Sequence, residues 1–85
     1  MWYVYILRCA DGTFYTGIAR DLSRRIDEHN SSNRLGASYT RGRRPVTLVY
    51  REEVASRSLA LRREHEIKAM GRQEKVALVA AGVTR

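Results

Sequence analysis

The pattern of apolar and polar residues in the first third of the chain predicts a β-hairpin followed by a helix. Residues 2–9 and 14–19 are rich in aromatic and β-branched side chains, a composition typical of strands. Between them Asp11 and Gly12 form a strong turn signal, so the two strands are predicted to pair antiparallel. Asp21 suits the N-cap of a helix that runs to about His29.

The rest of the chain predicts a loop, a third strand and two helices, over residues 30–44, 46–50, 57–70 and 73–81. Pro45 ends the loop, Ser56 suits the N-cap of the longer helix, and Gly71 and Gly82 are expected to stop the two helices. The order β-β-α-β-α-α predicts an α+β fold, in which helices flank a small three-stranded antiparallel sheet.

Within the predicted hairpin, the alternation assigns side chains to faces. Tyr3, Tyr5 and Leu7 share one face of the first strand, whereas Val4 and Ile6 point to the other. In the second strand Tyr15 and Gly17 share a face, and a glycine inside a strand often marks a close approach by backbone or ligand.

Length and cysteine usage exclude several classes of protein. The 85 residues suit a single domain over residues 1–85. Cys9 is the single cysteine, which excludes an internal disulfide and a multi-cysteine metal site, so it is expected to be a small buried residue. Neither a membrane span nor a signal peptide is present, which predicts a cytoplasmic protein without membrane contact. The oligomeric state is left open, with a monomer favoured.

The positive charge is concentrated in the centre of the chain. Sixteen Lys and Arg against nine Asp and Glu give a formal net charge of +7. Residues 34–51 contain no acid but five arginines: Arg34, Arg41, Arg43, Arg44 and Arg51. Because the guanidinium group binds phosphate oxygens bidentately, this stretch favours a polyanionic partner over an ordinary solvated surface.

Glu64, Arg25 and His29 stand out because helical spacing brings them close to apolar stripes. Glu64 lies on or beside a stripe of the long helix formed by Ala60, Leu61, Ile67 and Met70. It is either a functional carboxylate or a boundary residue paired with Lys68. Arg25 and His29, four residues apart, either clamp a phosphate ester or are a surface arginine beside a half-buried histidine. His65 points elsewhere and is expected to be solvated.

Two short motifs resemble the pair that names the GIY-YIG nuclease superfamily. Tyr3-Val4-Tyr5 is followed, ten residues on, by Tyr15-Thr16-Gly17. The supporting positions agree in order and spacing: Arg25, His29-Asn30, and the segment Ala60-Leu61-Arg62-Arg63-Glu64. The resemblance covers nearly the whole chain and is closest to small stand-alone bacterial GIY-YIG proteins, in which the segment Tyr39-Thr40-Arg41-Gly42-Arg43-Arg44-Pro45 recurs in similar form.

The sequence departs from the family pattern at three points. Tyr3 stands where the first motif has glycine, and Thr16 stands where the second has isoleucine. The asparagine that many members carry near the end of the domain has no obvious counterpart after Glu64.

The resemblance implies a metal-dependent nuclease that hydrolyses phosphodiester bonds, on DNA rather than RNA, in DNA repair, recombination or processing. It implies that Glu64 is the single protein ligand of Mg²⁺ or Mn²⁺ and that Arg25 holds a phosphate oxygen. The general base is one of the two motif tyrosines, with Tyr15 favoured and Tyr5 and His29 completing a proton network. The other residues of the two motifs are implied to have a structural role rather than a chemical one: Tyr3, Val4, Thr16 and Gly17.

The predicted nucleic-acid contacts are Tyr39, Arg41, Arg43, Arg44, Lys68 and Arg72. In the central loop the arginines would contact the backbone and the tyrosine would stack on a base. The alternative function is a catalytically weak nucleic-acid-binding module that keeps the fold, which the missing asparagine would favour.

Overall fold

The computed structural model describes residues 1–83. Its elements, in chain order, are β1 (Trp2–Arg8), β2 (Phe14–Ala19), α1 (Leu22–Ser31), α2 (Ser38–Arg41), β3 (Thr47–Val54), α3 (Arg57–Lys68) and α4 (Arg72–Val83). The predicted α+β fold is therefore confirmed, with a one-turn helix added inside the predicted loop. In the part of the chain that is described, no helix is long and apolar enough to cross a membrane.

The three strands form one antiparallel sheet in the order β2-β1-β3. The hairpin places Tyr5 opposite Gly17, so the two sequence motifs meet at the centre of the β1–β2 pair. Because β2 is an edge strand, the side of the sheet that carries these motifs is open to additional contacts.

Both faces of the central strand are buried, and the predicted alternation assigns them correctly. Tyr5 and Leu7 belong to one apolar cluster, which includes the buried Cys9 and faces α1. Val4 and Ile6 belong to the other, where α3 and α4 cover the sheet. A strand enclosed on both faces holds its side chains rigidly, which is a useful property for residues of a site.

Capping explains where two helices begin. The Asp21 side chain accepts a hydrogen bond from the Arg24 amide at 3.1 Å, and the Ser56 side chain accepts one from the Leu59 amide at 3.2 Å. Both N-caps were predicted from the residue types alone.

The predicted elements differ from the observed ones in four main respects. The third strand runs over Thr47–Val54 rather than residues 46–50, because its pairing with β1 continues until Val54 lies opposite Trp2. Residues 38–41 form α2 because Thr40, which is fully buried, anchors that turn against α1, an interaction that no local pattern reveals. Leu61 is 40% exposed, since Ala60 and Ile67 already occupy the side of α3 that faces the sheet. Gly82 lies inside α4, where a Cβ would come within 2.5 Å of the Tyr50 ring, so close packing explains this glycine.

Candidate active site

Tyr5 and Gly17 interlock across the hairpin. Tyr5 is 1% exposed, and a Cβ built on Gly17 would lie 2.5 Å from the Tyr5 hydroxyl oxygen and 2.7 Å from Cζ. The close approach predicted for Gly17 is thus made by the protein's own tyrosine. Only glycine leaves room for the phenol of the first motif to lie over the backbone of the second.

His29 is completely buried and holds the Tyr5 hydroxyl from α1. Its Nε2 lies 2.9 Å from the Tyr5 oxygen, and its Nδ1 lies 3.0 Å from Thr40 Oγ1. The Thr40 hydroxyl donates to the Ala37 carbonyl at 3.0 Å, so its oxygen is left to accept from Nδ1–H. The Ala37 amide also points at Nδ1, at the longer distance of 3.5 Å. The shorter Thr40 contact favours the tautomer with a proton on Nδ1, in which Nε2 accepts from the Tyr5 hydroxyl.

Burial keeps both partners of this hydrogen bond neutral. Burial raises the pKa of Tyr5 to about 12, although the neighbouring Arg25 opposes the shift. Burial, reinforced by Arg25, lowers the pKa of His29 to about 4. At neutral pH the Tyr5 phenol therefore keeps its proton and the His29 imidazole is uncharged.

Tyr15 lies beside this pair and nearer the surface. Its ring contacts the His29 ring edge-on at a centroid distance of 5.2 Å and stacks on Tyr39 at 5.8 Å. Tyr15 is half-buried whereas Tyr5 is enclosed, so Tyr15 is the motif tyrosine that a water molecule can reach.

Arg25 projects from α1 with its guanidinium fixed in place. Its Nη1 donates to Glu28 Oε1 at 2.8 Å and to the Leu35 carbonyl at 2.6 Å. Because it also lowers the pKa of Tyr5, its charge acts on the same small region as the phenol. A fixed, partly buried cation is well suited to hold an anionic oxygen.

Glu64 projects from α3 toward the same region. Its charge raises the pKa of Tyr5, although burial and Arg25 affect that pKa more. The carboxylate is 19% exposed and lies 3.2 Å from Lys68 Nζ, so the predicted ion pair is present. Among residues 1–83 no group of three or more His, Cys, Asp or Glu gathers that could hold a metal ion by itself. One carboxylate is enough for Mg²⁺, which keeps most of its water ligands.

The two arginines that end the central loop make contacts within the protein, which the sequence did not predict. Arg44 donates to the carbonyls of His29 at 2.6 Å and Ser32 at 2.8 Å, and it tethers the end of α1. Arg43 pairs with Asp11 at 3.0 Å and lies 4.1 Å over the Tyr39 ring.

The other residues predicted to contact nucleic acid differ in how far their side chains are engaged by the protein itself. Arg41 is exposed, and its Nη2 makes a long contact of 3.5 Å to Ser38 Oγ. Arg72 lies over the Phe14 ring at 5.0 Å, and Lys68 is the partner of Glu64.

Asn30 supports the site, and the residue pattern gave it no role. Its side chain accepts from the Val46 amide at 2.7 Å and donates to the Val46 carbonyl at 3.0 Å. This pair of bonds ties the end of α1 to the segment before β3, so it holds His29 in position beside Tyr5.

One groove of the described residues involves none of the candidate catalytic side chains. It encloses about 410 Å³ between β3 and α4 and is lined by Tyr50, Arg51, Glu52, Glu53, Leu78, Ala81 and Gly82.

Comparison with known proteins agrees with this geometry. The family model described as "GIY-YIG catalytic domain" matches residues 1–76. The UPF0213 protein DP2720 of Desulfotalea psychrophila is 58% identical over 94% of this chain and 72% of its own length. The UPF0213 protein SSP2268 of Staphylococcus saprophyticus is 51% identical over 94% of this chain and 95% of its own. The solution NMR structure of the UPF0213 protein BH0048 from Bacillus halodurans superposes with a TM-score of 0.60 and 45% identity, over 95% of this chain and 85% of that one.

Proposed function

The chain belongs to the GIY-YIG catalytic domain family, a family of nucleases that generally use divalent metals, and from this premise we propose that it is itself a metal-dependent nuclease. Its proposed substrate is the phosphodiester bond of nucleic acid, with DNA favoured, in cytoplasmic DNA repair, recombination or processing. The observation that carries the proposal is the interlocked pair Tyr5 and Gly17, which joins the two motifs in one rigid unit beside Arg25.

Tyr15 is the proposed general base. It is more accessible than Tyr5, and its ring lies edge-on against His29, the residue that holds the Tyr5 hydroxyl. Tyr5 is the proposed positioning group. Its hydroxyl donates to His29 and so fixes β1 against α1 beside the general base. His29 supports this arrangement from the interior, because a fully buried neutral imidazole cannot contact the substrate.

Arg25 is proposed to bind a non-bridging phosphate oxygen. Its contacts to Glu28 and the Leu35 carbonyl fix the guanidinium before substrate arrives, so little ordering is needed on binding. Preorganised positive charge of this kind stabilises the negative charge that develops on phosphate in the transition state.

Glu64 is the residue that would hold a divalent cation. A bound Mg²⁺ or Mn²⁺ supplies positive charge at the scissile phosphate and its departing oxygen. Lys68 competes for the same carboxylate, so substrate and cation together must displace that ion pair.

The proposal is tested by incubating labelled single-stranded DNA, duplex DNA and RNA with Mg²⁺, Mn²⁺ or EDTA. We expect metal-dependent cleavage that Glu64→Gln and Arg25→Gln abolish. Glu66→Gln is the matched control, because Glu66 lies on the same helix with an exposed carboxylate. Equal cleavage by Glu64→Gln, or no cleavage of any substrate, would refute the nuclease. Tight binding without cleavage would instead support the nucleic-acid-binding module.

A further inference from the structure

Trp2, Arg20 and Arg57 form a cluster that the nuclease proposal does not use. The two guanidinium groups each lie 5.9 Å from the centroid of the Trp2 ring. The three residues come from different elements: the start of β1, the residue after β2, and the first residue of α3. The fold therefore gathers two cations around one half-buried indole.

Neither arginine of this cluster has an acidic partner among residues 1–83, although several other basic residues of the protein do. The ion-paired basic residues are Arg24, Arg25, Arg43, Arg63 and Lys68. Arg20 and Arg57 are exposed, and Arg57 stands in the first turn of α3, where a cation opposes the helix dipole. What distinguishes them from other exposed arginines is that both lie over the same indole, so that two cations without an acidic partner among residues 1–83 are held together at one place.

The cluster lies on the face of the sheet that α3 covers, which is the helix that carries Glu64. Trp2 precedes Tyr5 by three residues on β1, about 10 Å along the strand, and its side chain lies on the face opposite to that of Tyr5. Arg57 precedes Glu64 by seven residues, two turns on the same side of α3 and again about 10 Å. Ten ångströms corresponds to about three phosphate steps of a stacked strand. Tyr39, by contrast, lies beyond Tyr15 in the opposite direction along β2.

We infer that Trp2, Arg20 and Arg57 form a second nucleic-acid contact, which binds the phosphate backbone on one side of the cleavage point. The arginine forks bind phosphate oxygens, and the indole gives a stacking surface for a neighbouring base. The inference rests on the proposed function, since it extends the same substrate path. The opposing explanation is that the arginine stems only cover Trp2.

Trp2 is the only tryptophan, so its fluorescence reports directly on this cluster. Oligodeoxythymidylates of about 4 and about 12 nucleotides, within the range of single-strand sites, are titrated in EDTA so that binding is measured without cleavage. We expect the longer oligonucleotide to quench Trp2 in the wild-type protein. In Arg20→Ala/Arg57→Ala, the slope of log affinity against log salt should flatten by about 1.4, which is about a 25-fold weaker affinity at 0.1 M than the wild type.

The matched control is Arg8→Ala/Arg62→Ala, which removes two exposed arginines that also have no ion pair among the described residues. It should keep a steeper salt slope than the cluster variant. Equal slopes for the two double variants would overturn the inference. So would unchanged Trp2 emission while the anisotropy of labelled DNA shows saturation, a result that needs only the wild-type protein.

The outcomes for the two proposals are separable. Trp2 quenching and a flattened slope without cleavage in Mg²⁺ or Mn²⁺ would support this contact and refute the nuclease. Cleavage without Trp2 quenching would support the nuclease and refute this contact. Absence of any nucleic-acid binding at low salt would refute both.

Discussion

Acidification from pH 7 to pH 5 should destabilise the protein through His29. The His29 pKa is lowered from 6.5 to about 4, mainly by burial and then by Arg25. Between these values the unfolded chain binds a proton that the folded protein excludes. The stabilising contribution is therefore complete above pH 6.5, falls as the pH decreases, and is lost near pH 4.

The pKa difference sets the magnitude. Integrating the linkage relation with 6.5 unfolded and about 4 folded gives a loss of about 2 kcal/mol between pH 7 and pH 5. The full loss approaches about 3 kcal/mol, which is a large fraction of the stability of a small domain. Hydrogen bonding from Arg25 lowers the pKa of Glu28 below its usual 4.5, so the contribution of that carboxylate is lost only in stronger acid.

The measurement is urea unfolding at pH 7, 6 and 5, comparing wild type with His29→Gln and His65→Gln. The His29 variant should lose the pH dependence in this range. The exposed His65, the only other histidine, provides the control that should keep it. If His29→Gln proves too unstable, an NMR titration of wild-type imidazole resonances serves instead. A His29 resonance that titrates near pH 6.5 in the folded protein, or an unchanged wild-type stability from pH 7 to 5, would refute the reasoning.

Three further substitutions test the packing around the site. Gly17→Ala should lower the free energy of unfolding by about 1–3 kcal/mol, because its Cβ would overlap the Tyr5 hydroxyl. Gly42→Ala is the control and should change the thermal unfolding midpoint little, because open space surrounds that glycine. Equal midpoints for the two variants would contradict this. Thr16→Val should raise stability by about 1 kcal/mol in urea unfolding, because its buried Oγ1 has no hydrogen-bond partner among residues 1–83. A lower midpoint would contradict this. Asn30→Ala should cost about 2 kcal/mol by removing both bonds to Val46, and wild-type stability in calorimetry would show that the tether is dispensable.

Local pattern predicted the sheet because the signal there has a short range. Alternation along β1 assigned Tyr5 and Val4 to opposite faces, and the Asp11–Gly12 turn fixed the hairpin that brings Tyr5 to Gly17. The depth of His29 could not be predicted in the same way. Its burial depends on Thr40, which lies eleven residues further on in a turn without hydrophobic periodicity.

Arginines that are close together in the sequence are not always the arginines that are free to bind a partner in the folded protein. Residues 34–51 have no acid among them, yet Arg43 finds Asp11 from the hairpin turn and Arg44 is occupied by carbonyls of α1. Arg20 and Arg57, which lie outside that stretch and next to acidic or polar sequence, remain unpaired among the described residues and come together at Trp2. The phosphates of a partner are attracted to cations that the fold leaves unpaired. Some arginines of the central loop therefore hold the folded chain together, and others add to its positive surface. Counting arginines in the sequence could not tell which residue does which.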